Sequence, residues 1–198
     1  MQFPRIQPKR KTGDESFRSG NGNAGFTIRD FWQWSASDLV SNSTRGVLAE
    51  FLVARALGRD IGVRDEWQAF DLQTATNKKI EVKSAAYVQS WGQKELSKIV
   101  FSTLHTRAWD TETGAFAAES RRQADTYVFA LLAHREKETI DPLNLDQWEF
   151  YVVPTSALET YTRSRHSITL KSLQQLCPAP VKFAQLKSAI EGTFATAG

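Results

Sequence analysis

Apolar and polar residues alternate along a short segment near the middle of the chain. In residues 79–84, Ile80 and Val82 alternate with Glu81 and Lys83. Side chains of a β-strand point to its two faces in turn, so the apolar pair can enter a core while the charged pair lies together on the opposite face. The segment is therefore predicted to be a strand with one charged face.

A second alternating segment precedes it. In residues 69–73, Phe70 and Leu72 oppose Asp71, and the five residues that follow have the composition of a turn. An antiparallel hairpin across this turn would bring Asp71 close to Glu81. Two carboxylates at that separation require a cation, so the hairpin predicts a cation site.

A helix is predicted immediately upstream, over residues 44–58. Its apolar positions recur at helical spacing, and Gly58 is a typical C-terminal residue. Glu50 shares a face with Val47 and Ala54. Because an unpaired acid is costly to bury on an apolar stripe, Glu50 should have a partner, either a metal-bound water or a basic residue of the same site.

The remaining pattern completes an α/β prediction. Two tryptophans, Trp32 and Trp34, are expected to lie in the core or scaffold, in a segment that begins at residue 26 and packs on the helix of residues 44–58. Residues 104–123 are predicted to form a loop or insertion. The other predicted elements are strands at 98–102, 125–133 and 148–153, and helices at 156–162, 169–176 and 183–190.

Composition is that of a soluble globular protein, with 198 residues, 41% hydrophobic and 24% charged. The net charge of +3 arises in residues 1–25, which carry five Lys or Arg and two acids (5 − 2 = +3), while the rest balances at 20 − 20 = 0. We therefore predict a disordered basic tail over residues 1–25 and a single domain over residues 26–198. The tail either adds non-specific attraction to phosphates or is a solubilising leader.

Other classes of protein are disfavoured. No apolar run approaches the roughly 20 residues that span a bilayer, and no secretory segment follows the start, so no membrane partner is expected. The single Cys177 excludes an internal disulfide, and with three scattered histidines it disfavours a zinc site. A cytoplasmic location is expected.

The gathered acids suit a hard divalent cation. Mg²⁺, with Mn²⁺ as a substitute, prefers oxygen ligands and needs few carboxylates, because water and substrate phosphate complete its shell. The predicted ligands are Asp71, Glu81 and the backbone carbonyl of Val82, with Glu50 acting through water or on a second ion. In the hydrolysis of a phosphodiester, Lys83 would orient the attacking water or stabilise the charge of the transition state.

The order of these residues resembles the PD-(D/E)XK nuclease superfamily. Glu50 on a first helix, Asp71 on a strand and the Glu81–Val82–Lys83 triplet match its pattern over about residues 45–133, although Phe70 stands where a Pro often precedes the Asp. The segments 30–34, 122–125 and 147–151 are similar to a bacterial group within it. The resemblance implies a restriction-endonuclease-like core, a mixed β-sheet flanked by helices with C-terminal helical decoration, and catalytic roles for Glu50, Asp71, Glu81 and Lys83.

Further polar residues are candidates for contacts to nucleic acid. Arginine matches a phosphate through its planar fork. The arginines could instead pair with Asp125, Glu119 or Glu159, and a glutamine could equally face solvent. The predicted substrate-binding residues are Gln89, Arg121, Arg122, Arg163 and Arg165.

Two functions remain open on this reasoning. The first is a metal-dependent DNA endonuclease of restriction-like, junction-resolving or repair-nicking type. The second is a catalytically inactive nuclease fold that binds nucleic acid or a protein partner, which the neutral body favours. A structural homodimer with incidental acids is a third alternative, and an active nuclease could also be a homodimer.

Overall fold

A computed structural model describes residue 3 and residues 5–110, 113–161, 163–164 and 166–195. Arg165, one of the predicted phosphate contacts, lies outside the described residues. The described elements are, in chain order, β1 (Ser16–Ser19), β2 (Gly22–Thr27), α1 (Ile28–Ala36), α2 (Asn42–Ala56), β3 (Leu72–Gln73), β4 (Lys79–Ala86), β5 (Val100–Ser102), β6 (Thr106–Asp110), β7 (Ala115–Arg121), β8 (Thr126–Leu132), β9 (Trp148–Pro154), α3 (Thr155–Glu159), β10 (Ser167–Thr169), α4 (Leu170–Leu176) and α5 (Phe183–Ala195).

The central element is a four-stranded mixed sheet in the order β3-β4-β8-β9. β4 is antiparallel to β3 and parallel to β8, and β8 is antiparallel to β9. Every residue of β8 is buried, as expected for an apolar strand that is covered on both faces. A mixed sheet flanked by helices, predicted from the sequence, is confirmed.

One face of this sheet packs against α2 and α5. Ile80 and Val82 of β4 enter this core together with Leu52 and Val53 of α2. Leu186 of α5 is fully buried in the same cluster. The last helix is thus part of the core, which differs from the C-terminal decoration that the sequence predicts.

The other face packs against α3, α4 and a small sheet. The small sheet pairs β5 with β10, and Phe101 and Ile168 from its two strands are buried with Phe129 of β8. The predicted third strand therefore exists, but it pairs outside the central sheet. The polar and apolar alternation of β4 places Glu81 and Lys83 on this second face.

The helix α2 ends in a Schellman motif. Gly58 has φ +65°. Its N–H donates to the Arg55 carbonyl, and the N–H of Arg59 donates to the Ala54 carbonyl, at 3.1 and 2.8 Å. A positive φ is readily adopted only by glycine, so Gly58 sets the direction in which the chain leaves the helix. The segment 59–71 that follows forms one wall of a cleft.

Two segments differ from their predicted states. The structure has a β1–β2 hairpin partly inside the segment predicted to be a disordered tail, with Phe17 stacked on Phe26 at 4.6 Å between ring centroids. Residues 104–123 contain a β6–β7 hairpin, where a loop was predicted. Both hairpins lack the uninterrupted apolar alternation that marks β4, because their side chains are largely exposed.

The aromatic residues of α1 are more exposed than predicted. No residue of α1 is buried, and Trp34 keeps 85% of its surface exposed while Trp32 keeps 42%. The sequence predicts that both tryptophans lie in the core or scaffold, and their exposure rules out the core position. Separately, no helix among the described residues is long and apolar enough to cross a membrane.

Candidate functional site

The candidate site lies at the edge of the central sheet, at Asp71, which immediately precedes the first residue of β3. Leu72 pairs with Ile80, and the N–H of Asp71 donates to the Ile80 carbonyl at 3.1 Å. The Asp71 carboxylate then accepts the N–H of Val82 at 2.7 Å. The N–H and C=O of one strand residue point to the same side of the strand. The Val82 carbonyl therefore points to the side on which Asp71 lies, just before β3 begins. The predicted hairpin is confirmed.

Glu81 and Lys83 project from the face of β4 opposite Ile80 and Val82. Their side chains form an ion pair and remain partly accessible, at 18% and 30% exposure. The predicted strand and its division into an apolar and a charged face are confirmed, since Ile80 and Val82 are 0% and 6% exposed. The carboxylate of Glu81 is thus held by the ammonium that the sequence predicts beside it.

Glu50 reaches the same region from α2 and has a partner that sequence analysis did not identify. Nε and Nη2 of Arg64 donate to the two carboxylate oxygens of Glu50, at 2.5 and 3.0 Å. The expectation that Glu50 needs a partner is confirmed, and the partner is a basic residue. Arg64 lies in the irregular segment after α2, where no periodic pattern indicates the direction of a side chain.

The negative charges of Glu50 and Glu81 both affect the pKa of Asp71. Burial and the charges of Glu81 and Glu50 raise the pKa of Asp71 from 3.8 to about 7, while the Val82 N–H and the Lys83 ammonium lower it by less. Such a perturbed carboxyl group in a cleft is typical of functional sites, although structural ion pairs also produce it.

Glu50, Arg64 and Asp71 line a cleft of about 380 Å³ between α2 and the segment 59–73, whereas Glu81 and Lys83 are not among its lining residues. The apolar residues of its lining include Val47 and Phe51 of α2 and Val63 of the facing segment, and Phe51 is half exposed. Its charged residues are Glu50, Asp60, Asp65, Asp71, Arg59 and Arg64. Charged and apolar surface therefore meet in one concave site.

The carboxylates do not form a ready metal cage. Within the ranges that the structure describes, no group of three or more Asp, Glu, His or Cys side chains is arranged to hold an ion. Glu81 is paired with Lys83, and Glu50 is paired with Arg64. Asp71, Glu81 and the Val82 carbonyl nevertheless have the hard oxygen chemistry of a Mg²⁺ or Mn²⁺ site, with a carbonyl directed to an unpaired sheet edge.

Gln89 lies outside this cleft lining. It is 6% exposed, and its amide bonds to Arg45, the Ala86 carbonyl and Ser97. Arg45 is also buried and donates to Ser84, Val40 and Asn42. The surroundings of Gln89 thus support a role in an internal network, where the sequence predicted a substrate contact.

Of the predicted arginines that the structure describes, one is buried and two are exposed. The Arg122 side chain is 2% exposed and donates to His105 at 2.9 Å and to Glu159 at 2.8 Å. Pairing with Glu159, the alternative that the sequence left open, is therefore the arrangement of Arg122. Arg121 and Arg163 are exposed, and neither lines the cleft.

Comparison of the chain with protein-family models finds no match, and comparison with curated proteins finds none either. The resemblance to PD-(D/E)XK nucleases therefore rests on the residues themselves. In the fold, Glu50, Glu81 and Lys83 are all close enough to Asp71 to act on its pKa.

Proposed function

We propose that this chain is a metal-dependent deoxyribonuclease with a restriction-endonuclease-like core. The observation that carries the proposal is the arrangement of Asp71, which binds the Val82 N–H at the centre of the Glu81–Val82–Lys83 triplet and is close enough to Glu81 and Glu50 for both to raise its pKa. Excess negative charge at a sheet edge is costly without a cation, and hydrolysis of a phosphodiester uses such a cation.

The residues that would hold the ion are Asp71, Glu81 and the carbonyl of Val82. When bound there, Mg²⁺ or Mn²⁺ would act as a Lewis acid that acidifies water and neutralises phosphate charge. Asp71 is fixed for this role by the Val82 N–H, which holds one carboxylate oxygen and leaves the other for a second partner. Glu50 adds negative charge at the same edge.

Lys83 is proposed to orient the attacking water and to stabilise the charge that develops on the phosphate. In support of this role, the Lys83 ammonium forms an ion pair with the carboxylate of Glu81, which projects from the same strand face. The Lys83 side chain is 30% exposed, so part of it is open to solvent on this face.

A plasmid cleavage assay tests the proposal. We expect the wild-type protein to convert supercoiled DNA to nicked or linear forms in Mg²⁺ or Mn²⁺, and to lose this activity in EDTA. Lys83→Ala should reduce the rate by about 100-fold or more, the scale on which one transition-state charge contact acts. Lys187→Ala, which removes an exposed lysine of α5, is the matched control and should cut like the wild type.

The nuclease proposal is wrong if the wild type and Lys83→Ala behave alike on supercoiled and branched DNA in both metals. Identical residual activity in the two proteins would indicate a contaminating nuclease. Metal-independent cutting would equally exclude the roles proposed for Asp71 and Glu81.

A binding module without catalysis is the second candidate. It is favoured by the pairing of Glu50 with Arg64 and of Glu81 with Lys83, which together satisfy two of the three carboxylates without a metal. A module of this kind would bind DNA or a protein partner equally well in EDTA and in Mg²⁺. A gel-shift comparison in the two buffers separates it from the nuclease, which should bind more tightly with metal.

A further inference from the structure

Arg64 occupies a position in the cleft that its ion pair with Glu50 only partly explains. A guanidinium has five N–H donors in a rigid planar fork. The bonds to Glu50 use Nε and Nη2, so they engage one side of the fork. The adjoining edge, formed by Nη1 and the second N–H of Nη2, keeps two parallel N–H groups for a second bidentate acceptor. Arg64 lines the cleft, and 39% of its side chain is exposed.

Arg59 repeats this arrangement on the same wall. Its Nε donates to the backbone carbonyl of Gln73 at 3.1 Å, which fixes the guanidinium from one side. Arg59 is exposed and also lines the cleft. Its position is set by the Schellman motif at the end of α2, so both arginines leave the helix on one short, anchored segment.

Acids on this wall are neutralised by arginines that do not line the cleft. Asp60 pairs with Arg55 at 2.8 Å, and Asp65 pairs with Arg5 at 2.5 Å. These two carboxylates therefore do not cancel the charge that Arg59 presents to the cleft. The cleft also has exposed apolar surface at Phe51 of α2 and at Val63 of this wall, suited to the sugar and base of a nucleotide.

We infer that Arg59 and Arg64 form a phosphodiester-binding subsite of the cleft, with Glu50 as the residue that positions Arg64. Guanidinium groups held by a protein acceptor on one side are well suited to bidentate recognition of phosphate on the other. The assignment rests on the proposed function for the identity of its ligand, the backbone of DNA. In this assignment Glu50 positions Arg64, whereas the sequence predicted that Glu50 is a metal ligand. Both Glu50 carboxylate oxygens accept hydrogen bonds from Arg64.

Fluorescence anisotropy with a labelled duplex oligonucleotide, in Ca²⁺ to limit cleavage, tests the subsite. Arg59→Ala and Arg64→Ala should each weaken binding about tenfold and lower the slope of log affinity against log salt by about 1. Arg64→Lys, which keeps the charge but not the fork, should weaken binding by about threefold. Arg29→Ala removes an ion-paired arginine that does not line the cleft, and it should bind within twofold of the wild type.

Glu50→Gln separates positioning from metal binding. We expect DNA affinity to fall by about threefold or more, because Arg64 loses its charged anchor, while Mn²⁺ affinity measured by calorimetry stays within twofold. The combined variant Glu50→Gln with Arg64→Ala keeps the charge balance of the cleft and provides a folded reference if Arg64→Ala alone is unstable. In that variant DNA affinity should equal that of Arg64→Ala.

The subsite would be overturned if Arg59→Ala and the charge-balanced variant both bind DNA as tightly as the wild type. The positioning role of Glu50 would be overturned if Glu50→Gln loses as much Mn²⁺ affinity as Asp71→Asn. These results are distinct from a failure of the proposed function. A wild type that does not cut DNA but binds it through Arg59 and Arg64 would reject the nuclease and retain the subsite. A wild type that cuts, with both arginine variants unaffected in binding, would do the reverse.

Discussion

Two charged clusters in this protein contain similar residues and have opposite properties. The cleft cluster consists of Glu50, Arg64, Asp71, Glu81 and Lys83, and the Arg122 cluster consists of Arg122, His105 and Glu159. The cleft cluster has three carboxylates and two cations, and three of its members, Glu50, Arg64 and Asp71, line the cleft. The Arg122 cluster has one carboxylate for one guanidinium, and the Arg122 side chain is 2% exposed.

The difference is one of charge balance. In the Arg122 cluster one carboxylate pairs with one guanidinium, so the charges balance without a ligand. In the cleft cluster two cations satisfy two carboxylates, and Asp71 is left with a pKa raised to about 7. A surplus carboxylate lowers stability, and proteins retain such groups mainly where function needs them. We therefore expect the free energy of unfolding to fall when the Arg122 cluster loses its guanidinium and to rise when Asp71 is made neutral.

The largest loss of stability is expected from Arg122→Ala. This change removes a buried side chain and leaves Glu159 and His105 without their shared donor. We expect the free energy of unfolding to fall by about 2 kcal/mol, below the range for fully buried pairs because the Glu159 side chain is half exposed. Urea unfolding followed by circular dichroism measures the change.

Arg122→Met is the control for packing, since methionine fills a similar volume without charge. Nε of Arg122 is buried without a hydrogen-bond partner among the described residues, and methionine also removes that unsatisfied donor. The loss of stability should therefore be smaller than for alanine. Equal stability of Arg122→Ala and the wild type would contradict a structural role for this cluster.

A gain in stability is expected from Asp71→Asn. Burial and neighbouring carboxylates raise the pKa of Asp71 above 3.8, so the native state binds a proton more readily than the unfolded state. The stability that this proton contributes is present below about pH 4 and is lost as pH rises through 7. Asparagine stays neutral and can still accept the Val82 N–H. The free energy of unfolding of Asp71→Asn should therefore exceed that of the wild type by an amount that grows from pH 4 to pH 7.

We expect this advantage to reach about 2 kcal/mol at pH 8 without metal, less than the whole shift implies because Asp71 keeps some contact with water. Unfolding curves at pH 4, 6 and 8 for the two proteins measure it. An Asp71→Asn variant that is less stable than the wild type at pH 8 would make Asp71 a structural partner.

The smallest effect is expected from Lys83→Ala. Lys83 is on the accessible face of β4, so its removal opens no core cavity, but it leaves Glu81 without its ammonium. The free energy of unfolding should change by less than about 1 kcal/mol, as for other partly exposed pairs. A variant that loses DNA cleavage and keeps this stability assigns Lys83 to the reaction, whereas an unfolded variant assigns it to the fold.

The local geometry of the site follows from sequence patterns with a fixed period. Alternation in β4 predicts which of its residues are buried, and the turn composition of residues 74–78 predicts the antiparallel pairing that brings Asp71 to Glu81. Helical spacing predicts that Glu50, Val47 and Ala54 share a face, and all three line the cleft. These relations depend on neighbours in the chain, so one segment suffices to deduce them.

Features set by distant segments could not be deduced in this way. Arg64 meets Glu50 because the segment after α2 folds back along the helix, and Gln89 is buried because Arg45 reaches it across 44 positions of the chain. The partner of β5 is likewise β10, which lies far along the sequence. Trp34 is apolar, but its helix packs no residue into the core, so apolar composition alone wrongly predicted burial.

Calorimetric titration with Mn²⁺ most directly tests whether the cleft cluster is a cation site. We expect one saturable site in the wild type, at least tenfold weaker in Asp71→Asn and unchanged in Glu159→Gln, which alters the balanced cluster. Because Asp71 must release its proton when an ion binds, affinity should increase from pH 6 to pH 8. No saturable binding with or without DNA, or equal affinity in the wild type and Asp71→Asn, would contradict the assignment of this edge as a metal site.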